Sequence, residues 1–103
     1  MELIETSAFT RQVRAALTDD EYRTLQLALI LRPESGDLIP GSGGLRKLRW
    51  RLPGRGTRGG ARIIYYWQAA AGRIFLLFLY PKNARAGLSP AELRALRKLV
   101  SDN

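Results

Sequence analysis

The stretch from Leu45 to Tyr80 reads LRKLRWRL (45–52), PGRGTRGG (53–60), ARIIYYW (61–67), QAAAG (68–72) and RIFLLFLY (73–80). Its apolar residues alternate or run continuously, and β-branched and aromatic side chains concentrate in 45–52, 61–67 and 73–80, which predicts three consecutive strands. The first connection is glycine-rich and the second, Ala69 to Gly72, is short enough for a tight turn, so the strands should pair antiparallel.

Outward from this sheet the period becomes helical. Leu3-Ile4-Glu5 predicts a short leading strand, and Ser7 or Thr10 then opens an amphipathic helix with Phe9, Val13 and Leu17 on one stripe. Thr18-Asp19-Asp20-Glu21 has the capping-box pattern, in which hydroxyl and carboxylate satisfy backbone N–H groups at a helix start. The second helix should run through Tyr22, Leu25, Ala28 and Leu29 and stop at Arg32-Pro33, before a loop from Glu34 to Gly44. Ser89-Pro90-Ala91-Glu92 repeats the capping pattern and starts a last helix with Leu93, Leu96, Leu99 and Val100 on its apolar stripe. The expectation is one α+β domain over residues 1–103: a small, mainly antiparallel sheet of four to five strands with two N-terminal helices and a C-terminal one.

Composition narrows the chemistry. The 103 residues include neither Cys nor His, which removes disulfides, thiol chemistry and the commonest acid–base side chain, and neither a metal nor a cofactor is expected. Acids stand near the N-terminus where a secretory signal would carry cations, and no segment approaches the roughly 20 apolar residues of a membrane span, so a cytoplasmic location is expected. The formal charge of +8 is unevenly spread. No Asp or Glu lies between Asp37 and Glu92, a window holding ten of the 17 cations; the remaining seven face nine acids, a net −2. Seven cations fall between Arg46 and Arg62, a density that attracts a phosphate backbone and equally suits a solvated face or a protein-binding surface.

Strand alternation puts Lys47, Arg49 and Arg51 on one face of the first long strand and Leu48, Trp50 and Leu52 on the other. Like charges so spaced repel and call for an anion, with protection of a sheet edge as the plainer alternative. If the next strand pairs with this one, Arg62 can share that face and clamp a phosphate with its planar fork. Lys82, leaving the last strand, would join them from the end of the sheet. Tyr65, Tyr66 and Trp67 suit a core, although one tyrosine could stack on a base. With no histidine, proton transfer falls to lysine or tyrosine, because arginine stays protonated. Surrounding cations lower a lysine's affinity for its proton, which favours Lys47 or Lys82.

Gly43-Gly44-Leu45-Arg46-Lys47-Leu48-Arg49-Trp50, the basic loop to Gly60, Arg62-Ile63-Ile64-Tyr65-Tyr66, Tyr80-Pro81-Lys82-Asn83, Asp20-Glu21-Tyr22 and Leu88-Ser89-Pro90 together resemble HigB-type toxins of the RelE superfamily over nearly the whole chain. The resemblance implies an endoribonuclease toxin, an mRNA interferase that cuts mRNA in the A site of the 70S ribosome without a metal. It also implies a cognate antitoxin that neutralises the toxin and, in complex with it, binds operator DNA. Lys47, Arg49, Arg62 and Lys82 match the family's catalytic positions, and Arg46, Arg51, Arg55, Arg58, Tyr65 and Arg85 are the expected RNA contacts. Some members carry a functional tyrosine in the C-terminal segment. None follows Tyr80 here, so Tyr65 or Tyr80 would have to substitute. A ParE-like toxin that inhibits DNA gyrase, or a non-catalytic basic module, would share these features on the same fold.

Overall fold

The structure is a computed structural model describing residues 1–52 and 59–100. Strand β1 (Glu2–Glu5) is followed by helices α1 (Ser7–Ala16) and α2 (Asp19–Leu31), strands β2 (Asp37–Leu38), β3 (Arg46–Arg51), β4 (Gly60–Gln68) and β5 (Arg73–Pro81), and helix α3 (Pro90–Lys98). The five strands form one sheet in the order β1-β5-β4-β3-β2. β1 runs parallel to β5 and every other pair is antiparallel. The expected α+β architecture with two leading helices and one closing helix is the one observed.

Three local readings change. The N-cap of α1 is Thr6, not Ser7 or Thr10: its hydroxyl accepts from Phe9 N and also donates to Leu77 O at 2.8 Å, tying the helix start to β5. The loop after α2 contains the edge strand β2, too short at two residues to show a period. Leu99 lies beyond the end of α3 and is 58% exposed, while Val100 turns into the core. Thr18 and Ser89 form the two capping boxes as expected.

Each face of the sheet carries its own core. On one side Phe9, Val13 and Leu17 of α1 and its C-cap, and Leu25 and Leu29 of α2, pack on Ala61, Ile63 and Tyr65 of β4 and on Ile74, Leu76 and Leu79 of β5, with Leu48 and Trp50 at the margin. On the other side, Leu93 and Leu96 of α3, with Val100, cover Ile64, Tyr66, Phe75 and Leu77. The side chains that the two cores take from β5 change parity between Leu77 and Phe78, where a bulge shifts the β4–β5 register. Leu79 N donates there to the Gln12 side chain, so α1 satisfies the ladder beside the bulge.

Tyr65 locks the first core to the loop after α2. It is fully buried; its hydroxyl donates to Pro33 O at 2.7 Å and accepts from Gly36 N at 2.8 Å. A side chain on Gly36 would come within 2.8 Å of the ring, so the ring's seat depends on glycine there. Burial raises the Tyr65 pKa above its ordinary value and keeps the phenol a donor. Tyr65→Phe should therefore destabilise the fold by about 1–3 kcal/mol, because it strands a buried carbonyl and a buried N–H. Urea unfolding of the two proteins measures this; equal midpoints would contradict it.

Candidate nucleic-acid interface

The pairing of β3, β4 and β5 turns the basic strand into a patch. Arg49 stands directly opposite Arg62, and Arg62 opposite Tyr80. In the flanking rows Lys47 opposes Ile64, and Arg51 opposes Gly60. Alternation sets Lys47, Arg49, Arg51 and Arg62 on the sheet face that α3 covers only in part. Directly opposed residues bring their Cβ atoms to roughly 5 Å, where like charges destabilise the pair. Among the described residues no carboxylate forms an ion pair with Lys47, Arg49, Arg51 or Arg62. Four cations thus share one face, Arg49 and Arg51 exposed and Lys47 and Arg62 half-buried, with Asp37 of β2 opposite Lys47 as the acid at its edge.

Lys82 lies against the Gly60 end of this face. The Lys82 backbone N–H donates to Gly60 O at 2.9 Å. Its aliphatic stem passes 3.3 Å from where a Cβ on Gly60 would sit, so a side chain there, opposite Arg51, would press the stem aside by a few tenths of an ångström. The structure therefore brings together the four positions expected to do chemistry, Lys47, Arg49, Arg62 and Lys82.

The expected RNA contacts divide. Arg51 lies on the patch. Arg46 belongs by alternation to the opposite face, where its guanidinium donates to Glu34 O and Gly36 O and holds the loop after α2. Tyr65 is a core residue with both hydrogen-bonding capacities of its hydroxyl in use, and it offers no ring surface to a base. Arg85 is held by Glu92 at 2.5 Å and by Gly87 O, with its guanidinium 6.0 Å from the centre of the Tyr80 ring. It braces the loop into α3 more than it adds free charge. Arg55 and Arg58 lie outside the described residues.

The placement of two residues escapes a reading of the sequence, although Tyr80 itself was a candidate there. Asp37 of β2 stands opposite Lys47 and sets an acid at the edge of the cationic face. Tyr80 is 4% exposed, and its hydroxyl has no hydrogen-bond partner among the described residues. A buried unpaired hydroxyl costs about 1–3 kcal/mol. Alternation from Arg62 across to β5 would have pointed to Tyr80, once the register was known. Tyr80 and Lys47 line one recess of about 110 Å³, closed by Leu88 and by Leu93 of α3.

Two outcomes follow from these charges. Sulfate should raise the melting temperature more than chloride at equal ionic strength, partly through its general stabilisation of folded proteins, and Arg62→Gln should lose a share of that increment and gain up to about 1 kcal/mol in chloride by relieving the opposed pair. A sulfate effect unchanged in the variant would contradict the patch as the anion site. The Arg85 guanidinium, with the N-cap backbone N–H of Ser89, holds the Glu92 carboxyl below its ordinary pKa of 4.5. A lowered carboxyl stabilises the fold above its unfolded pKa, and the contribution disappears as pH falls through the folded value. The melting temperature of Glu92→Gln should therefore converge on wild type between pH 5 and pH 3, about the carboxyl range. A constant gap across that interval would contradict it.

Comparison with known proteins agrees with this architecture. The chain matches the family described as the RelE toxin of the RelE/RelB toxin–antitoxin system over residues 1–103. A double arginine-to-alanine mutant of the E. coli toxin RelE in the free state superposes with a TM-score of 0.60 at 14% identity, covering 95% of this chain and 94% of that one. At that identity the superposition speaks for the fold alone. The full-length family match sets the chain's affiliation: it belongs to the RelE toxin family, toxins paired with a cognate antitoxin.

Proposed function

We propose that this protein is a ribosome-dependent endoribonuclease that cuts mRNA in the ribosomal A site, acts in the cytoplasm and is neutralised by its antitoxin. The observation that carries the reading is the opposition of Arg49 and Arg62 across β3 and β4, with Lys47, Arg51 and Lys82 around them. Arg49 and Arg62 hold a scissile phosphodiester. Their planar forks engage its non-bridging oxygens and offset the charge that grows there during in-line attack.

The ribose 2′-hydroxyl attacks phosphorus as the bond to the 5′-oxygen breaks, leaving a 2′,3′-cyclic phosphate and a 5′-hydroxyl. One proton leaves the 2′-hydroxyl and one reaches the departing oxygen. Arginine can move neither, so Lys47 and Lys82, on opposite sides of the arginine row, are assigned the transfers. The reaction needs no metal in this scheme. The chain's family supports a toxin activity, and the cationic patch supports RNA rather than gyrase as its target.

Cleavage of a defined mRNA, with and without programmed ribosomes, tests the reading. Wild type should cut only with ribosomes. Arg62→Ala should lose about 100- to 1,000-fold, the scale of removing one preorganised donor from a developing oxyanion. Arg62→Lys should recover little, because an ammonium does not reproduce a bidentate fork. No cleavage in either condition would sink the nuclease reading and move the assignment to gyrase inhibition or simple binding.

A further inference from the structure

The cationic face carries one acid, Asp37 of β2. It stands directly opposite Lys47 in an antiparallel ladder, so the two side chains share the face with their Cβ atoms roughly 5 Å apart. Among the described residues the Asp37 carboxylate enters no ion pair and accepts no hydrogen bond, so neither a helix cap nor a loop brace accounts for it. A carboxylate there repels the phosphate that the arginines attract and so weakens RNA binding. Two things can offset that loss: relief of repulsion among the cations, which serves the fold, or an effect on the chemistry of Lys47.

The surroundings of the two lysines favour the second. Charged or titratable groups reach Lys47 from each neighbouring element: Arg49 two residues along β3, Arg62 and Tyr66 diagonally across β4, Tyr80 from β5 in the recess that Lys47 lines, and Arg97 of α3 over the Tyr66 ring. Glu92 of α3 is taken up by Arg85 and by the Ser89 N–H. Among the described residues the carboxylate opposed to Lys47 is therefore that of Asp37. Lys82 lies at the other end of the face, beside Gly60, whose opposite residue is the cation Arg51. A neighbouring carboxylate favours an ammonium, and a neighbouring cation favours an amine. Water screens both effects in the free protein; RNA laid over the face excludes that water and lets them act.

We infer that Asp37 is a positioning residue that sets the direction of proton flow: it holds Lys47 as the donor to the departing 5′-oxygen and leaves Lys82 to accept the proton of the 2′-hydroxyl. The inference deepens the RNA-cleavage reading and rests on it. As the bond from the 2′-oxygen to phosphorus forms and the bond to the 5′-oxygen breaks, Lys82 gains one proton and Lys47 loses one. Exchange with water then restores both side chains. Asp37 touches neither reacting oxygen and acts through the Lys47 ammonium alone.

Asp37→Asn and Asp37→Glu in the full chain test this through binding and turnover together. Asp37→Asn should bind a short 2′-deoxy single strand, which keeps the phosphates and cannot be cut, about twofold tighter, because a repelling charge is gone. Its single-turnover cleavage of mRNA on programmed ribosomes should nevertheless fall, at least about threefold near pH 9. The alkaline limb of the pH–rate profile, where the donor surrenders its proton, should move to lower pH while the acidic limb stays. Asp37→Glu, which keeps the carboxylate, should keep the wild-type profile. An alkaline limb that Asp37→Asn leaves in place would overturn the inference and make Asp37 a matter of charge balance; weaker binding in step with slower cleavage would overturn it and make Asp37 a residue of strand structure. If wild type cuts no mRNA, the nuclease reading is refuted and the inference with it, whereas cleavage with an unmoved limb refutes the inference alone.

Discussion

Two arginines that face each other across neighbouring strands define this molecule. Arg49 and Arg62 are placed in opposition by the β3–β4 register, and register in a half-buried sheet is not adjustable. A slip of one residue would turn Leu48 and Ile63 out of the core that α1 and α2 build. The hydrophobic side of the strands thus enforces electrostatic repulsion on the other side. The fold tolerates a local arrangement of like charges that an anion would relieve.

The parts around the pair act on its position. Tyr65 and Arg46, one in the core and one at its margin, use their polar ends to hold the loop between α2 and β2. That loop leads into β2, which brings Asp37 opposite Lys47. On the far side of the sheet Arg97 of α3 donates to Gly43 O and lies 4.5 Å from the Tyr66 ring, fastening the last helix over part of the cationic face. The pair from Arg85 to Glu92 braces the loop that leads into the same helix. Gly60 lets the Lys82 stem lie close to β4, 3.3 Å from where a Cβ would sit.

How much of this could be read from the chain follows from the range of each interaction. The capping boxes at Thr18 and Ser89 and the turn from Ala69 to Gly72 are local, and they were legible. So was the division of β3 into a cationic and an apolar face, because a period of two needs only the strand itself. The anchoring roles of Tyr65 and Arg46 were not: the apolar run favoured a core for Tyr65, but nothing local shows what its hydroxyl or the Arg46 guanidinium would bond. Here the partners that decide, the carbonyls and the N–H between Pro33 and Gly36, lie ten or more residues away. Tyr80 needed two registers, β3 with β4 and β4 with β5, before it could be placed at the end of the arginine row.

The central claim is that the opposed arginines hold RNA phosphate, and the salt dependence of RNA binding tests it most directly. Affinity for a short single-stranded RNA falls with salt along a line whose slope counts phosphate contacts, about 0.7 for each on a single strand. Comparing wild type with the Arg49→Gln, Arg62→Gln double variant over a range of salt concentrations isolates these two side chains. The account predicts a slope shallower by about 1.4 in the variant. Equal slopes for the two proteins would contradict it and leave the cations as surface charge.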